Sequence, residues 1–219
     1  MSTLNKLGIN QRTDKTTEVH NYLVKYEKYL PFKRYEKLNF LEIGVLTGQS
    51  LRMWWEYFYM SKIVGIDIEP QCVSHDNDRM IIETGSQTDG NFLLDVVNRH
   101  GSFDMILDDG SHMNSHVIFS FETLFPTMKS GGVYVVEDSC TAYWSDWEGG
   151  HLNPNSSVEY FKRLSDDVNF RGLMNFNTSN VHARREDWLT DLSHQTQPDC
   201  RTDIESITFL NGIIIITKR

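Results

Sequence analysis

Along the chain, short apolar runs alternate with stretches that have helical spacing, and this alternation is the main structural signal. The first sixteen residues are mostly polar, but from His20 to Leu30 the residues Tyr22, Leu23, Tyr26 and Tyr29 recur at helical intervals. They predict that residues 1–38 form a helical N-terminal extension packed on the main fold. Asn39 to Val45 reads as a buried strand with glycine near its end, and Ser50 to Tyr59 as a helix capped by Ser50. Lys62 to Ile68 is a second strand, Met80 to Thr84 a weaker third, and Asn91 to Asn98 a helix. Phe103 to Leu107 gives a fourth strand, His116 to Phe125 a helix stopped by Pro126, and Gly132 to Val136 a fifth strand. Thr141 to Pro154, aromatic and glycine-bearing, reads as loop. Asn211-Gly212 between the apolar runs Ile204–Leu210 and Ile213–Thr217 is a hairpin signal. The expected fold is therefore α/β: one doubly wound, mostly parallel seven-stranded sheet with a C-terminal antiparallel hairpin, in a single domain over residues 1–219.

In such a sheet, ligands bind beyond the carboxyl ends of the strands where strand order reverses. Glu42-x-Gly44-x-x-x-Gly48 sits there, after the first strand and before a helix. Glycine lets the backbone turn tightly and approach a ligand closely. The motif is not the G-x-G-x-x-G that cradles a dinucleotide pyrophosphate, which disfavours a nicotinamide-dependent dehydrogenase. It suits S-adenosylmethionine (SAM), which has no phosphate. Asp67, at the end of the second strand, is placed to accept hydrogen bonds from both ribose hydroxyls, and Ser86-Gln87 lie where an adenine edge would fall. The cofactor-contact candidates are Glu42, Gly44, Gly48, Ser50, Asp67, Ser86, Gln87 and Asp108.

Strands four and five are neighbours in this topology, about 4.8 Å apart, and they end in Asp108-Asp109 and Glu137-Asp138. Carboxylates gathered this closely raise one another's pKa unless a cation relieves them, and Mg²⁺ favours carboxylates plus water. Asp109, Glu137 and Asp138 are the candidate ligands. Each pair also has a plainer reading: Asp-Gly makes turns, and Asp138 could cap a following helix. His112, three residues after Asp109, is placed to take a proton from a hydroxyl made acidic by the metal, with His116 a less favoured alternative.

Composition narrows the setting. The 219 residues, 39% hydrophobic and 12% aromatic, suffice for one folded domain with a sizeable core. With 21 Lys and Arg against 30 Asp and Glu, the formal charge of −9 would repel a phosphate backbone, so nucleic acid is not an expected partner; Arg184-Arg185 is too small a basic cluster to reverse this. No apolar stretch is long enough to span a bilayer, so no membrane association is expected. Cys72, Cys140 and Cys200 share no metal spacing and point to reduced thiols in a cytoplasmic protein.

Several of these segments together resemble the metal-dependent sugar O-methyltransferases of macrolide biosynthesis. The likeness is carried by Leu41-Glu42-Ile43-Gly44-Val45, Leu51-Arg52-Met53-Trp54, Gly65-Ile66-Asp67, Asp108-Asp109-Gly110-Ser111-His112, Glu137-Asp138 and Thr141-Ala142-Tyr143-Trp144. It runs from about Thr13-Asp14-Lys15 to the terminal hairpin, and Thr13-Asp14-Lys15 and Tyr22 match the family near the active site. The resemblance implies Mg²⁺ held by Asp109, Glu137 and Asp138, His112 as general base, and SAM contacts around Glu42, Gly44, Asp67 and Gln87. It further implies a hydroxyl acceptor on a sugar or glycosylated small molecule, with a homo-oligomer possible. Members of that family carry an extra N-terminal domain with no counterpart in this sequence, so the chain is expected to be the catalytic domain only and macrolide specificity is not carried over. Two other readings remain: a metal-independent small-molecule methyltransferase, and a SAM-binding protein without turnover.

Overall fold

The computed structural model describes residues 2–70, 78–169 and 201–219; Cys72, Cys200 and Arg184-Arg185 fall outside them. Helices α1 (Thr3–Gln11) and α2 (Tyr22–Tyr29) precede β1 (Asn39–Ile43), α3 (Gln49–Tyr57), β2 (Lys62–Asp67), β3 (Met80–Thr84) and α4 (Gly90–His100). Then come β4 (Met105–Asp108), α5 (Asn114–Leu124), β5 (Val133–Val136), α6 (Ser157–Arg163), α7 (Ser165–Val168), β6 (Ile204–Leu210) and β7 (Ile213–Lys218). The seven strands lie in the order β3-β2-β1-β4-β5-β7-β6. Pairs among β1 to β5 are parallel, and β7 runs antiparallel to both β5 and β6. The expected sheet and terminal hairpin are both present.

Strands β1, β2, β4, β5 and β7 carry buried runs on both faces because helices cover both. One core layer gathers Leu41, Ile106, Phe121, Tyr134 and Phe161; the other gathers Phe40, Trp54, Leu107, Val135 and Ile215. Alternate residues of one strand thus feed opposite layers, as the period of two requires. Tyr26 joins the second layer edge-on to Trp54, with ring centroids 5.3 Å apart, so α2 is built into this core.

Two local expectations change, and one helix joins the expected N-terminal extension. The helix after the first glycine loop begins at Gln49, and its N-cap is Gly48 at φ 72°; Ser50 instead donates to Glu42 Oε1 at 2.5 Å. Asp138 precedes a short 3₁₀ turn (Ser139–Tyr143) but makes no side-chain cap bond, so capping does not explain it. Helix α1, in a stretch whose polarity hides it, is capped by Ser2, whose hydroxyl accepts from the Asn5 amide.

Strand register sets the site. Ile43 pairs with Asp108, and Asp108 with Val136, so β1, β4 and β5 end level with one another. Strand order reverses between β1 and β4, so the segments that follow, from Gly44, Asp109 and Glu137, leave the sheet together at the switch point.

Candidate active site

The two glycines nearest the switch point are required by close approach. Gly44 has φ +90°, and a Cβ there would lie 2.2 Å from the Asp109 carbonyl oxygen. A Cβ on Gly110 would lie 2.2 Å from Gln87 Oε1. The loops after β1 and β4 therefore touch backbone to backbone. Beside them opens a cleft of about 340 Å³, lined by Gly44, Leu46, Asp67, Ile68, Gln87 and Gly110 among others. That volume is in the range of small-molecule sites.

Of the expected cofactor residues, Gly44, Asp67, Ser86 and Gln87 line this cleft, whereas Glu42, Gly48, Ser50 and Asp108 do not. Asp67 Oδ2 accepts from the Val45 and Leu46 amides, both at 2.8 Å, and so fixes the glycine loop. Ser86 bonds Thr88 through their hydroxyls at 2.9 Å. Gln87 Oε1 accepts from the Ser111 amide at 2.7 Å, while its Nε2 donates to Ser120 and Asp108. Asp108 is a support behind Gln87. It is buried, accepts from the Tyr134 hydroxyl at 2.9 Å, and is pushed by burial up to about 6 despite that bond.

Glu42 is fully buried. Ser50 satisfies Oε1, but Oε2 has no partner among the described residues. Burial raises its carboxyl to about 8, against the opposing pull of the Lys15 ammonium and the Ser50 bond. An unpaired buried acceptor is costly unless a ligand completes it. The Gly44 turn and the aliphatic walls Ile43, Ile66 and Ile68 suit a flat base such as the adenine of SAM, while the Glu42 orphan is buried outside the cleft lining.

The acidic residues beyond the cleft occupy two environments. Asp109, His112 and Asp138 are half-buried, with ligand-capable atoms all within 4.8 Å of one another. His112 Nε2 stands 3.9 Å from Asp109 Oδ1 and 3.6 Å from Asp138 Oδ2. Thr141 Oγ1 donates to the His112 carbonyl at 3.2 Å and holds that loop down. Glu137 is buried, and both its oxygens are bonded: one to the Tyr26 hydroxyl, the other to Lys15 Nζ at 2.5 Å. Burial and the Asp109 charge push Glu137 upward, and the Lys15 ammonium opposes them. Hard oxygen donors with an open side fit a Mg²⁺-type ion that keeps some water.

Leu46, His112 and Asp138 all have left-handed backbones, at φ 49°, 58° and 48°. For residues bearing a side chain this costs roughly 1–3 kcal/mol each. Such strain gathers at functional sites, and here it follows the ends of β1, β4 and β5.

The resemblance placed Thr13-Asp14-Lys15 and Tyr22 near the active site without a role, and Tyr26 had no expected part in it. Lys15, Tyr22 and Tyr26 between them reach all three carboxylates expected to bind metal. Lys15 contacts Asp109 and Glu137, Tyr26 contacts Glu137, and Tyr22 donates to Asp138 Oδ1 at 2.5 Å. Tyr22 and Tyr26 were visible as an apolar helix face. A lysine 94 residues from Asp109 has no spacing signal, and only its place in the Thr13-Asp14-Lys15 match marks it. His116, ranked behind His112 as a base, lines the cofactor cleft and bonds Ser111 Oγ at 2.8 Å.

Residues 41–139 match a protein family described as a methyltransferase domain. With the strand order, this match gives the chain the class I methyltransferase fold. The chain is similar to proteins named as O-methyltransferases. It is 39% identical to demethylmacrocin O-methyltransferase of Streptomyces fradiae, over 78% of this chain and 45% of that one. It is 36% identical to the 8-demethyl-8-alpha-L-rhamnosyl tetracenomycin-C 2'-O-methyltransferase of Streptomyces olivaceus, over 92% of this chain and 51% of that one. The MycE methyltransferase of the mycinamycin biosynthetic pathway, solved with Mg and SAH, superposes with a TM-score of 0.85 at 29% identity, covering 99% of this chain and 54% of that one. The chain spans about half the length of these relatives. Among the described residues, no helix is long and apolar enough to cross a membrane.

Proposed function

We propose that this chain transfers the sulfonium methyl of SAM to a sugar hydroxyl of a glycosylated small molecule, assisted by a divalent cation, Mg²⁺ by preference, held by Asp109, Glu137 and Asp138. One observation carries the reading. The loop from Asp108 to His112 serves both halves of the reaction: Gly110 and Ser111 line the cofactor cleft, while Asp109 and His112 face Asp138. A methyl donor in the cleft and a hydroxyl at the acidic cluster would thus meet across one short loop. The breadth of the relatives favours the sugar over any one aglycone, since their names include a tetracenomycin rhamnoside as well as demethylmacrocin.

The chain's own residues then have separable tasks. Asp67 fixes the glycine loop beside the cofactor, and Leu46 and Ile68 line its cleft. The cation, when bound, raises the acidity of a hydroxyl beside it. His112 accepts that proton as the oxygen–methyl bond forms and the sulfur–methyl bond breaks, leaving S-adenosylhomocysteine and a methyl ether. Trp144 and Trp147, edge to face at 5.4 Å and with Trp144 half exposed, offer apolar rings for a sugar face. Asn114 Nδ2, which donates to the Trp147 carbonyl at 2.6 Å, holds this platform near His112. The free Cys140 thiol suits a cytoplasmic setting.

Incubation with methyl-labelled SAM, Mg²⁺ and a panel of deoxysugar glycosides tests this. Label should enter a sugar hydroxyl of at least one glycoside. Transfer confined to nitrogen or carbon acceptors would overturn the assignment.

A further inference from the structure

A lysine buried beside metal-binding carboxylates competes with the metal by its position alone. Lys15 Nζ contacts Asp109 Oδ2 and, at 2.5 Å, Glu137 Oε2, and its side chain is only 2% exposed. The segment bearing it is fixed from behind: the Tyr22 and Leu23 amides donate to the Lys15 carbonyl at 2.9 and 3.1 Å, tying it to the first turn of α2. Gly8 packs against this junction so closely that a Cβ there would lie 2.4 Å from a Leu23 methyl. The ammonium is thus held where a second cation would draw on the same oxygens.

We propose that Lys15 is a built-in counter-cation that competes with the divalent ion for Asp109 and Glu137, and so sets how tightly that ion is held. Two consequences follow from charge balance. With no ion bound, the ammonium keeps adjacent carboxylates from repelling one another, so the site stays assembled. With an ion bound, the ammonium lies near a second positive centre and weakens the ion's hold. Lys15 acts here as a positioning residue, touching the carboxylates rather than the reacting atoms. The inference rests on the proposal that these carboxylates bind a divalent ion.

The test compares Mn²⁺ binding to wild-type protein, Lys15→Met and Tyr26→Phe, by calorimetry and by loss of the free-ion paramagnetic resonance signal. Lys15→Met keeps the length and removes the charge, and should bind Mn²⁺ at least tenfold more tightly. Its melting temperature should be lower than wild type without metal and should rise more steeply with Mn²⁺, because binding to the folded state alone stabilises it. Tyr26→Phe removes a hydrogen bond from Glu137 without changing charge, and should leave the affinity within about threefold of wild type. Equal or weaker binding by Lys15→Met overturns the inference, as does an equal gain in Tyr26→Phe. If Lys15→Met does not fold without metal, refolding across a Mn²⁺ series reads the same linkage: recovery with Mn²⁺ supports competition, and failure at saturation overturns it. If wild-type protein binds no divalent ion, the metal reading itself falls and this inference with it. Binding in wild type without tightening in Lys15→Met removes only the role of Lys15.

Discussion

Replacing Glu42 by Gln should change how the stability of the ligand-free protein depends on pH. Glu42 has no solvent access, and burial raises its carboxyl from 4.5 to about 8. Between those values the folded protein holds a proton that the unfolded chain has released. Stability must therefore fall as pH rises through that window. A carboxyl held one pH unit above its ordinary value represents about 1.36 kcal/mol, so the Glu42 contribution to the fall approaches about 5 kcal/mol across the window. Its slope is at most about 1.4 kcal/mol per pH unit, because one group releases one proton. The Lys15 ammonium and the Ser50 hydrogen bond favour the ionised form, yet burial outweighs both. Urea unfolding of the cofactor-free protein at pH 5, 6, 7 and 8 measures the slope. Asp108 and Glu137, also raised by burial, contribute to the measured slope, so Glu42→Gln, which cannot ionise, should lower it by up to about 1.4 kcal/mol per pH unit without abolishing it. A variant as steep as wild type would show that another group titrates and that Glu42 is ionised throughout.

Other perturbations address the remaining parts of the site. Gly44→Ala forces a Cβ into the Asp109 carbonyl at an unfavourable φ, and should destabilise the fold by roughly 2–4 kcal/mol as well as weakening SAM binding, read by denaturation and calorimetry. Asp67→Ala removes the acceptor for two loop amides, and should cost SAM binding on the order of 1.5–3 kcal/mol by calorimetry. His112→Ala should leave SAM affinity nearly unchanged and slow single-turnover methyl transfer by roughly 10²–10⁴. Near wild-type turnover would mean the proton leaves by another route.

The strands were legible because most are apolar on both faces and bounded by glycine or acidic residues, and their alternation with helices pointed to a doubly wound sheet, in which strand order reverses between β1 and β4. The convergence of Asp109 with Asp138 was legible for the same reason: adjacent parallel strands must deliver their ends to one place. Helix α1 was not, because its buried face amounts to Leu4, Asn5 and Gly8, too little for an apolar period. Ser50 read as a helix cap because serine commonly caps; Gly48 in a left-handed conformation takes that position and frees the hydroxyl for Glu42. The division of the carboxylates into an open pair and a buried Glu137 depends on Lys15, Tyr22 and Tyr26. These come from the N-terminal extension, whose packing on the fold was expected but whose bonds to particular carboxylates carry no sequence signal.

Catalysis as proposed requires the cleft and the acidic cluster to act together in one reaction. Methyl transfer from labelled SAM to an accepted glycoside, measured with Mg²⁺, with EDTA, and after Mg²⁺ is restored, tests that directly. Transfer should proceed with Mg²⁺, disappear in EDTA while calorimetry still registers SAM, and recover when the ion is restored. Transfer at the same rate in EDTA would contradict joint action, and would leave Asp109, Glu137 and Asp138 as structural carboxylates.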